Sequence, residues 1–390
     1  MHVKSIKQSD LNDRLLFWSF CSTFFFLPVA TSPAVISGLI SLGVWIFSGK
    51  IVRDRNDWSG QSWFKPVILF MLLPWFGLLW SNDINIGLEF AKKSYYWLYA
   101  FAILSLGHIY YPNILIKSFL SGLSLTVFIS ISQYIGIISM TNVYQAGFMG
   151  HITYSLLLVF GILLLSFYYR EAKLNKHRVA ILILIAVYVF SLSINMGRIG
   201  YFAFVFLSPW ILFNILGRKN ILLIVAALCT LIVILSLSRT VQDRTKLAVE
   251  EINAYYSGSK NTSVGRRLYM WEGAFKMILE NPLLGVGTGG YQRALAQYRD
   301  DPSLPDIIHP HNTFLYVASS YGIVGLLSFS WLFIIFLKKG WSARETIEGF
   351  ASLSYGAVLL IGSLTDTQIL SVSTGILFAL LTGLRTKQNE

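Results

Sequence analysis

Long apolar stretches recur from one end of this chain to the other, and the charged residues fall almost wholly between them. A helix needs about 20 largely apolar residues to cross the hydrocarbon core of a bilayer. Twelve segments meet that pattern, at 15–30, 33–48, 66–81, 95–108, 114–138, 151–169, 179–195, 199–217, 220–237, 313–337, 347–364 and 367–384. Composition agrees: 55% of the residues are hydrophobic and 13% charged, against roughly a quarter charged in soluble proteins. The reading is an all-α polytopic membrane protein. Its formal charge of +12 does not indicate nucleic-acid binding, because the basic residues are scattered between apolar runs rather than gathered on a polar face. Cys21 and Cys229 each lie inside an apolar run, where cysteine behaves as a small hydrophobe, so neither a disulfide framework nor a thiolate metal site is expected.

Cytoplasmic loops of membrane proteins are enriched in Lys and Arg. With the N-terminus inside, the two tails and the inner loops hold 19 of them, while the short outer loops hold three, Lys92, Lys93 and Arg198. Both termini are therefore expected in the cytoplasm. Lys4, Lys7 and Arg14 before the first apolar stretch resemble a signal peptide, but no small-residue cleavage site follows, and the segment reads as an uncleaved helix.

One connection differs from the rest. From 238 to 312 the chain runs outside with no long apolar stretch, and connections of such length usually carry function. The chain reads as one integral membrane domain, 1–390, with 238–312 as a loop subdomain between the ninth and tenth spans. Two amphipathic helices are expected in it, Lys246–Tyr256 and Val264–Glu280. On the second, Leu268, Trp271, Ala274, Phe275, Ile278 and Leu279 share one face at helical period, and Arg266, Tyr269, Lys276 and Glu280 the other. Ser263 is the expected N-cap, and Asn281-Pro282 ends the helix. Arg267 lies at the flank of the apolar face, from which it can reach a site between loop and membrane domain, whereas Arg266 points away.

Four motifs could carry chemistry. Arg198, between two apolar spans, is either a side chain snorkelling to headgroups or a ligand-binding guanidinium, with Gly197 and Gly200 permitting close backbone approach. In Gly265-Arg266-Arg267, Arg266 reads as a solvated surface charge and Arg267 as the better candidate for gripping phosphate oxygens. Gly285-Val-Gly287-Thr-Gly289-Gly290 looks like a phosphate-cradling loop but lacks the Gly-Lys-Ser/Thr ending, and reads as a tight turn whose amides retain the option of touching a substrate. The strongest is His309-Pro310-His311-Asn312, immediately before a span. Two His at this spacing, with only His151 as another outer histidine, fall short of the three or four ligands a zinc site needs, so no metal is assigned. A neutral imidazole there suits a general base. Either His309 or His311 fits that role.

Taken in order, Arg198-x-Gly200-Tyr201, Arg267-x-x-x-Trp271, Asn281-Pro-Leu-Leu-Gly-Val-Gly287, His309-x-His311-Asn-Thr-Phe-Leu315 and Tyr321-Gly-Ile-Val-Gly325 resemble the bacterial O-antigen ligase and polymerase superfamily, over about residues 195–325. The resemblance implies a C-type glycosyltransferase architecture in the inner membrane with a periplasmic active site. It implies transfer of a glycan from undecaprenyl pyrophosphate to a sugar hydroxyl of lipid A–core, with no cofactor, nucleotide sugar or metal. By the same resemblance Arg198 and Arg267, with Arg266 beside them, would bind pyrophosphate, and the His-x-His-Asn histidine would activate the acceptor. An O-antigen ligase is the preferred reading. O-antigen polymerase and protein O-oligosaccharyltransferase use the same donor class, and a polytopic lipid or glycan transporter is the alternative from another class. Transporters usually place ionisable groups near the bilayer midplane within repeated halves, and neither feature is seen here. The proline between the two histidines restricts His309 and leaves open which imidazole faces the substrate.

Overall fold

The computed structural model describes residues 11–106, 111–139, 145–237, 239–299 and 304–386. Lys4 and Lys7, named above, lie outside them, as do the last residues of the segment 95–108. The described residues contain helices and turns and no strand. In chain order the helices are α1 Leu11–Phe26, α2 Thr31–Phe47, the short α3 Lys50–Arg53 and α4 Arg55–Ser59, α5 Phe64–Phe76, α6 Ile84–Lys92, α7 Leu98–Leu104, α8 Pro112–Tyr134, α9 His151–Glu171, α10 Asn175–Ile194, α11 Arg198–Leu216 and α12 Ile221–Leu237. Then come α13 Arg239–Tyr256, α14 Ser263–Glu280, α15 Tyr291–Ala296, α16 Thr313–Ser342, α17 Ile347–Gly362 and α18 Val372–Gly383.

The described residues of the twelve apolar segments fall mostly on helix. Five helices, α8, α9, α10, α11 and α16, are long and apolar enough to cross a membrane; α2, α5 with the 3-10 turn after it, α17, α18 and the first part of α12 are apolar but shorter. The segment 95–108 is broken: a 3-10 stretch, Lys93–Trp97, precedes the seven-residue α7.

Helix α9 is the axis of the bundle. Every residue from Tyr154 to Phe167 is buried, as expected of a helix apolar on all sides, and α10, α11 and α17 pack around it. Small residues bring backbones together at several crossings. A Cβ on Gly122 of α8 would collide with the Phe25 carbonyl of α1, and one on Gly383 of α18 with the Ala100 carbonyl of α7. Close approach through glycine is how membrane helices gain packing where lipid is as apolar as leucine.

Helix α16 is interrupted. Gly322 adopts φ 60 and ψ −154, a conformation open essentially to glycine alone. The gap is filled by the segment after α14: Val286 and Gly287 N–H donate to the carbonyls of Ser319 and Ser320, at 2.9 and 3.0 Å, and Ile323 N–H donates to the Pro282 carbonyl at 2.8 Å. Asn281–Gly287 and Tyr321–Gly325, separate motifs in sequence, are therefore one interlocked unit. Gly285, Gly287 and Gly289 all have positive φ. Thr288, fully buried, ties the same turn to the end of α5, its amide donating to Gly77 and its hydroxyl to Pro74, at 3.0 and 2.6 Å. The glycine-rich stretch is thus a turn, as its sequence indicates. The amides of Val286, Gly287, Thr288 and Gly290 are spent on protein carbonyls, which removes the phosphate-cradle option for them.

The loop helices differ from expectation in detail. The first begins at Arg239 rather than Lys246. In the second, the cap is Thr262, whose side chain accepts from Gly265 N–H, not Ser263. Its buried face consists of Gly265, Tyr269, Met270, Gly273, Ala274 and Met277, so Tyr269 is not on the polar side: its hydroxyl donates to Leu295 O at 3.1 Å. Phe275 and Leu279, expected inside, are exposed. Small residues at Gly273 and Ala274 let α15 approach on this side, with Leu295 against Gly273.

Candidate functional site

The N-termini of α9, α11 and α16 begin at His151, Arg198 and Thr313, and the candidate site forms around them. Gly197 and Gly200 explain the first pairing. A Cβ on Gly197 would meet Ser155 Oγ and, at 2.6 Å, the His151 carbonyl; a Cβ on Gly200 would meet the Ser155 side chain. These glycines serve helix packing, and their space is filled by protein rather than by ligand. They bring the first turn of α11 against that of α9 and leave Arg198 exposed at the edge. Asn195 holds the approach to α11, accepting from Gly197 N–H at 2.6 Å and donating to Gln145 O.

The His-Pro-His-Asn segment is fixed from two sides. Asn312 caps α16 by accepting from Leu315 N–H at 3.0 Å, while its amide donates to Leu364 O at 3.0 Å. Thr313 N–H donates to Ser363 O, and the Thr313 hydroxyl donates to Asp366 O while accepting from Gln368 N–H. These bonds stitch the start of α16 to the turn between α17 and α18. They deliver a residue that the sequence reading did not single out, Asp366, whose Oδ1 lies 3.0 Å from His311 Nδ1. From the other side Trp271 of α14 donates its indole N–H to Pro310 O at 3.1 Å. Trp271 lies one helical turn beyond Arg267, so this bond brings the part of α14 that carries Arg267 to the histidines.

The two histidines are not equivalent. His311 has a half-exposed side chain and faces a carboxylate. Its backbone adopts φ 46, the only positive φ of a non-glycine among the described residues, and strain of this kind gathers at functional sites. His309 is packed beside Phe90, its Nδ1 3.2 Å from the Thr367 hydroxyl and 3.4 Å from the His311 amide. Burial, reinforced by the neighbouring His311, pushes its pKa down to about 4, so it is neutral near pH 7. Burial opposes ionisation of Asp366, but the hydrogen bond and charge of His311, with the Thr367 amide, outweigh it and hold the carboxyl below its usual range.

Arg267 is partly buried and Arg198 exposed, and neither donates to or pairs with another described residue. Burial lowers the Arg267 pKa and the charge of Arg198 pushes the same way, with Asp366 and Glu251 opposing. Arg267 thus lies within electrostatic reach of Arg198 on one side and of Asp366 on the other. Arg266 stands apart, exposed and donating to Asn261 Oδ1 at 2.7 Å. The structure therefore brings together Arg198, Arg267, His309 and His311, adds Asp366, and leaves Arg266 outside.

Such an arrangement can hold a doubly charged oxyanion and offer a base beside it. The adjoining N-termini of α9 and α11 add partial positive charge. Comparison with known proteins points the same way. Residues 184–330 match the family model described as O-antigen ligase. The chain is 27% identical over 263 residues to the O-antigen ligase of Salmonella typhimurium, covering 64% of this chain and 61% of that protein. It is 29% identical over 136 residues, 32% of this chain and 33% of the relative, to a protein of Rickettsia conorii named as a polysaccharide ligase. A protein of Rickettsia prowazekii with the same name is 28% identical over 103 residues, 25% of each chain. The chain thus matches less than two thirds of the length of each of these relatives. The family match covers the span from α10 into α16 that carries both arginines and both histidines, and the chain is similar over that span to the O-antigen ligase family.

Proposed function

We propose that this protein is an O-antigen ligase, transferring a glycan from undecaprenyl pyrophosphate to a sugar hydroxyl of lipid A–core on the periplasmic face of the bacterial inner membrane. The observation that carries the reading is a pair of guanidinium groups, Arg198 and Arg267, with no partner among the described residues, of which Arg267 lies within electrostatic reach of both Arg198 and the Asp366 of the His311–Asp366 couple. Breaking the bond between anomeric carbon and pyrophosphate leaves negative charge on the leaving oxygens, and fixed cations stabilise it without reorganising. Guanidinium forks suit two phosphate groups better than ammonium does.

His311 is the base. A carboxylate at Nδ1 favours the tautomer with the proton on that nitrogen, leaving Nε2 as an acceptor. The acceptor hydroxyl loses its proton to Nε2 while its oxygen attacks the anomeric carbon from the face opposite the pyrophosphate. One carbon–oxygen bond forms, the bond to pyrophosphate breaks, and the lipid pyrophosphate leaves as the anion held by the arginines. A single displacement inverts the anomeric centre; a double displacement would need two suitably spaced carboxylates flanking the sugar. His309, neutral and partly buried, is a positioning residue whose Nδ1 accepts from the His311 amide. The arginines supply charge that a divalent cation supplies in metal-dependent transferases, so full activity in EDTA is expected. The loop 238–312 is part of the same membrane domain, its helices forming the outer wall of the site, and twelve spans with both termini inside remain the proposed topology.

The experiment is in vitro transfer with a defined undecaprenyl-pyrophosphate glycan and purified lipid A–core. Glycan attached to lipid A–core supports the ligase. Elongation of the lipid-linked glycan with an untouched acceptor identifies a polymerase instead, and movement of substrate across liposomes without a new glycosidic bond identifies a transporter.

A further inference from the structure

Helix α14 carries apolar side chains on two opposite sides. One side, Met270, Gly273, Ala274 and Met277, is buried against the protein. At 3.6 residues per turn, Phe275 and Leu279 fall roughly opposite, and they are 57% and 80% exposed. The turn that follows continues the exposed surface with Leu283 at 67% and Leu284 at 50%. Lys276 and Glu280 run between the two sides, and Lys276 pairs at 2.9 Å with Glu272, which borders the exposed apolar side chains. A loop helix in water gains nothing from an apolar outer face, and contiguous exposed apolar surface marks contact with membrane or protein.

The surroundings of this face say which. The segment after α14 is built into the bundle between two apolar helices. Thr288 N–H donates to Gly77 O at the end of α5, and Ile323 and Val324 N–H of α16 donate to the carbonyls of Pro282 and Leu283. Both helices show exposed apolar side chains at these levels, Phe76 and Leu79 at the α5 end and Ile323, Val324 and Leu327 on α16. Because α16 is long and apolar enough to span the membrane, such side chains face lipid, and Leu283 is hydrogen-bonded through its backbone to one of them. The exposed Leu283 and Leu284 thus link the outer face of α14, along the chain, to that surface.

We propose that α14 is an interfacial helix: its Phe275–Leu279 face and the Leu283-Leu284 turn are immersed in the acyl region of the nearer leaflet. Helices of this kind sit about 5–10 Å into the boundary between headgroups and acyl chains. The indole of Trp271, on the same helix, belongs at that boundary. The inference goes beyond glycan transfer, since it concerns how deep the loop rides in the bilayer. Its consequence for the site is that Arg267, two turns before Phe275, is held at headgroup depth, the level at which a phosphate group attached to a membrane lipid lies.

Depth can be read directly. Single cysteines at Phe275→Cys, Leu279→Cys and Lys276→Cys, in a chain carrying Cys21→Ala and Cys229→Ser, are labelled with bimane and reconstituted in nanodiscs of phosphatidylethanolamine and phosphatidylglycerol. The expected result is that labels at 275 and 279 are quenched severalfold more by lipids bearing a doxyl group at acyl carbon 5 than by aqueous iodide, with the order reversed at 276. Equal iodide quenching at all three positions overturns the proposal, because the face is then in water. Quenching at 275 and 279 by neither reagent also overturns it, because the face is then covered by protein, as in association with a second copy. None of these outcomes depends on the transfer reaction.

Discussion

His311 Nδ1 lies 3.0 Å from Asp366 Oδ1 across 55 residues of sequence. The contact joins the start of α16 to the turn between α17 and α18, and in the proposed mechanism it orients the imidazole as a base. Replacing the carboxylate by an amide of the same shape keeps the packing but no longer enforces the correct tautomer. In a hydrolytic triad that change costs about 10⁴-fold in kcat. Asp366→Asn is therefore expected to lower kcat about 10³–10⁴-fold with little change in the KM for either substrate, measured by in vitro transfer. His311→Ala should match it, and the double variant should lose no more than the worse single one. Additive losses would mean that the two residues act separately.

Arg198 and Arg267 have no protein partner among the described residues, so removing either costs no internal ion pair and should leave the fold intact. Each Ala variant is expected to lower transfer by about 10²–10³-fold, the usual loss for one group that stabilises developing charge. Membrane levels of the protein should be unchanged. Arg267→Lys should recover only part of the activity, since an ammonium cannot reproduce the two-pronged fork. Arg266→Ala, which loses only a bond to Asn261, should be close to normal. Equal damage from Arg266→Ala and Arg267→Ala, followed in the same assay, would remove the distinction drawn between them.

How much of this was legible in the sequence depends on how far apart the cooperating residues lie. Arg198, His309 and His311 each interrupt or border apolar sequence, where a costly polar group is visible without a structure, and Arg267 is visible at the flank of an amphipathic face. Asp366 was not visible in the same way. It occupies a two-residue gap between the apolar segments 347–364 and 367–384, and its partner lies in another motif. An acid in so tight an outer turn is the only signal available. The face of α14 was misjudged for a different reason: periodicity finds an apolar stripe but not what lies against it. Phe275 and Leu279 make the stronger stripe, yet Gly273 and Ala274 let the protein approach on the other side. The cap differed by one residue because Thr262 and Ser263 are both competent to cap.

The interlock at Gly322 should not tolerate a side chain. Its φ of 60 with ψ −154 costs a non-glycine residue on the order of 1–3 kcal/mol, and an added Cβ would run into the backbone of Leu283. Gly322→Ala is expected to reduce the yield of monodisperse protein in detergent, or to lower its melting temperature sharply. Gly43 is the control: it lies within α2 and a Cβ there meets nothing within 4 Å. Gly43→Ala should be neutral, or should stabilise by about 0.5–1 kcal/mol through helix propensity. Scanning fluorimetry and size-exclusion profiles of both variants decide the matter; equal behaviour would show that the break in α16 is not enforced by Gly322.

The neutral state of His309 makes stability depend on pH with a definite sign. Burial, aided by His311, lowers its pKa to about 4, whereas an unfolded histidine titrates near 6.5. Between those values the unfolded chain binds the proton and the folded chain does not, so stability falls as pH falls from about 6.5 to 4. At roughly 1.4 kcal/mol per pKa unit the full effect is on the order of 3 kcal/mol. Asp366 acts in a separate window: its lowered carboxyl contributes stability above the unfolded carboxylate range, and that contribution is lost only at lower pH, as its folded pKa is crossed. His309→Gln takes up no proton in this range and retains a carbonyl oxygen that can accept from Thr367. The wild-type melting temperature is expected to decline more steeply between pH 6.5 and 4.5 than that of His309→Gln, with the largest advantage of wild type near pH 7. Parallel curves for the two proteins would show that His309 is not held neutral by its surroundings, and would return it to consideration as a second base beside His311.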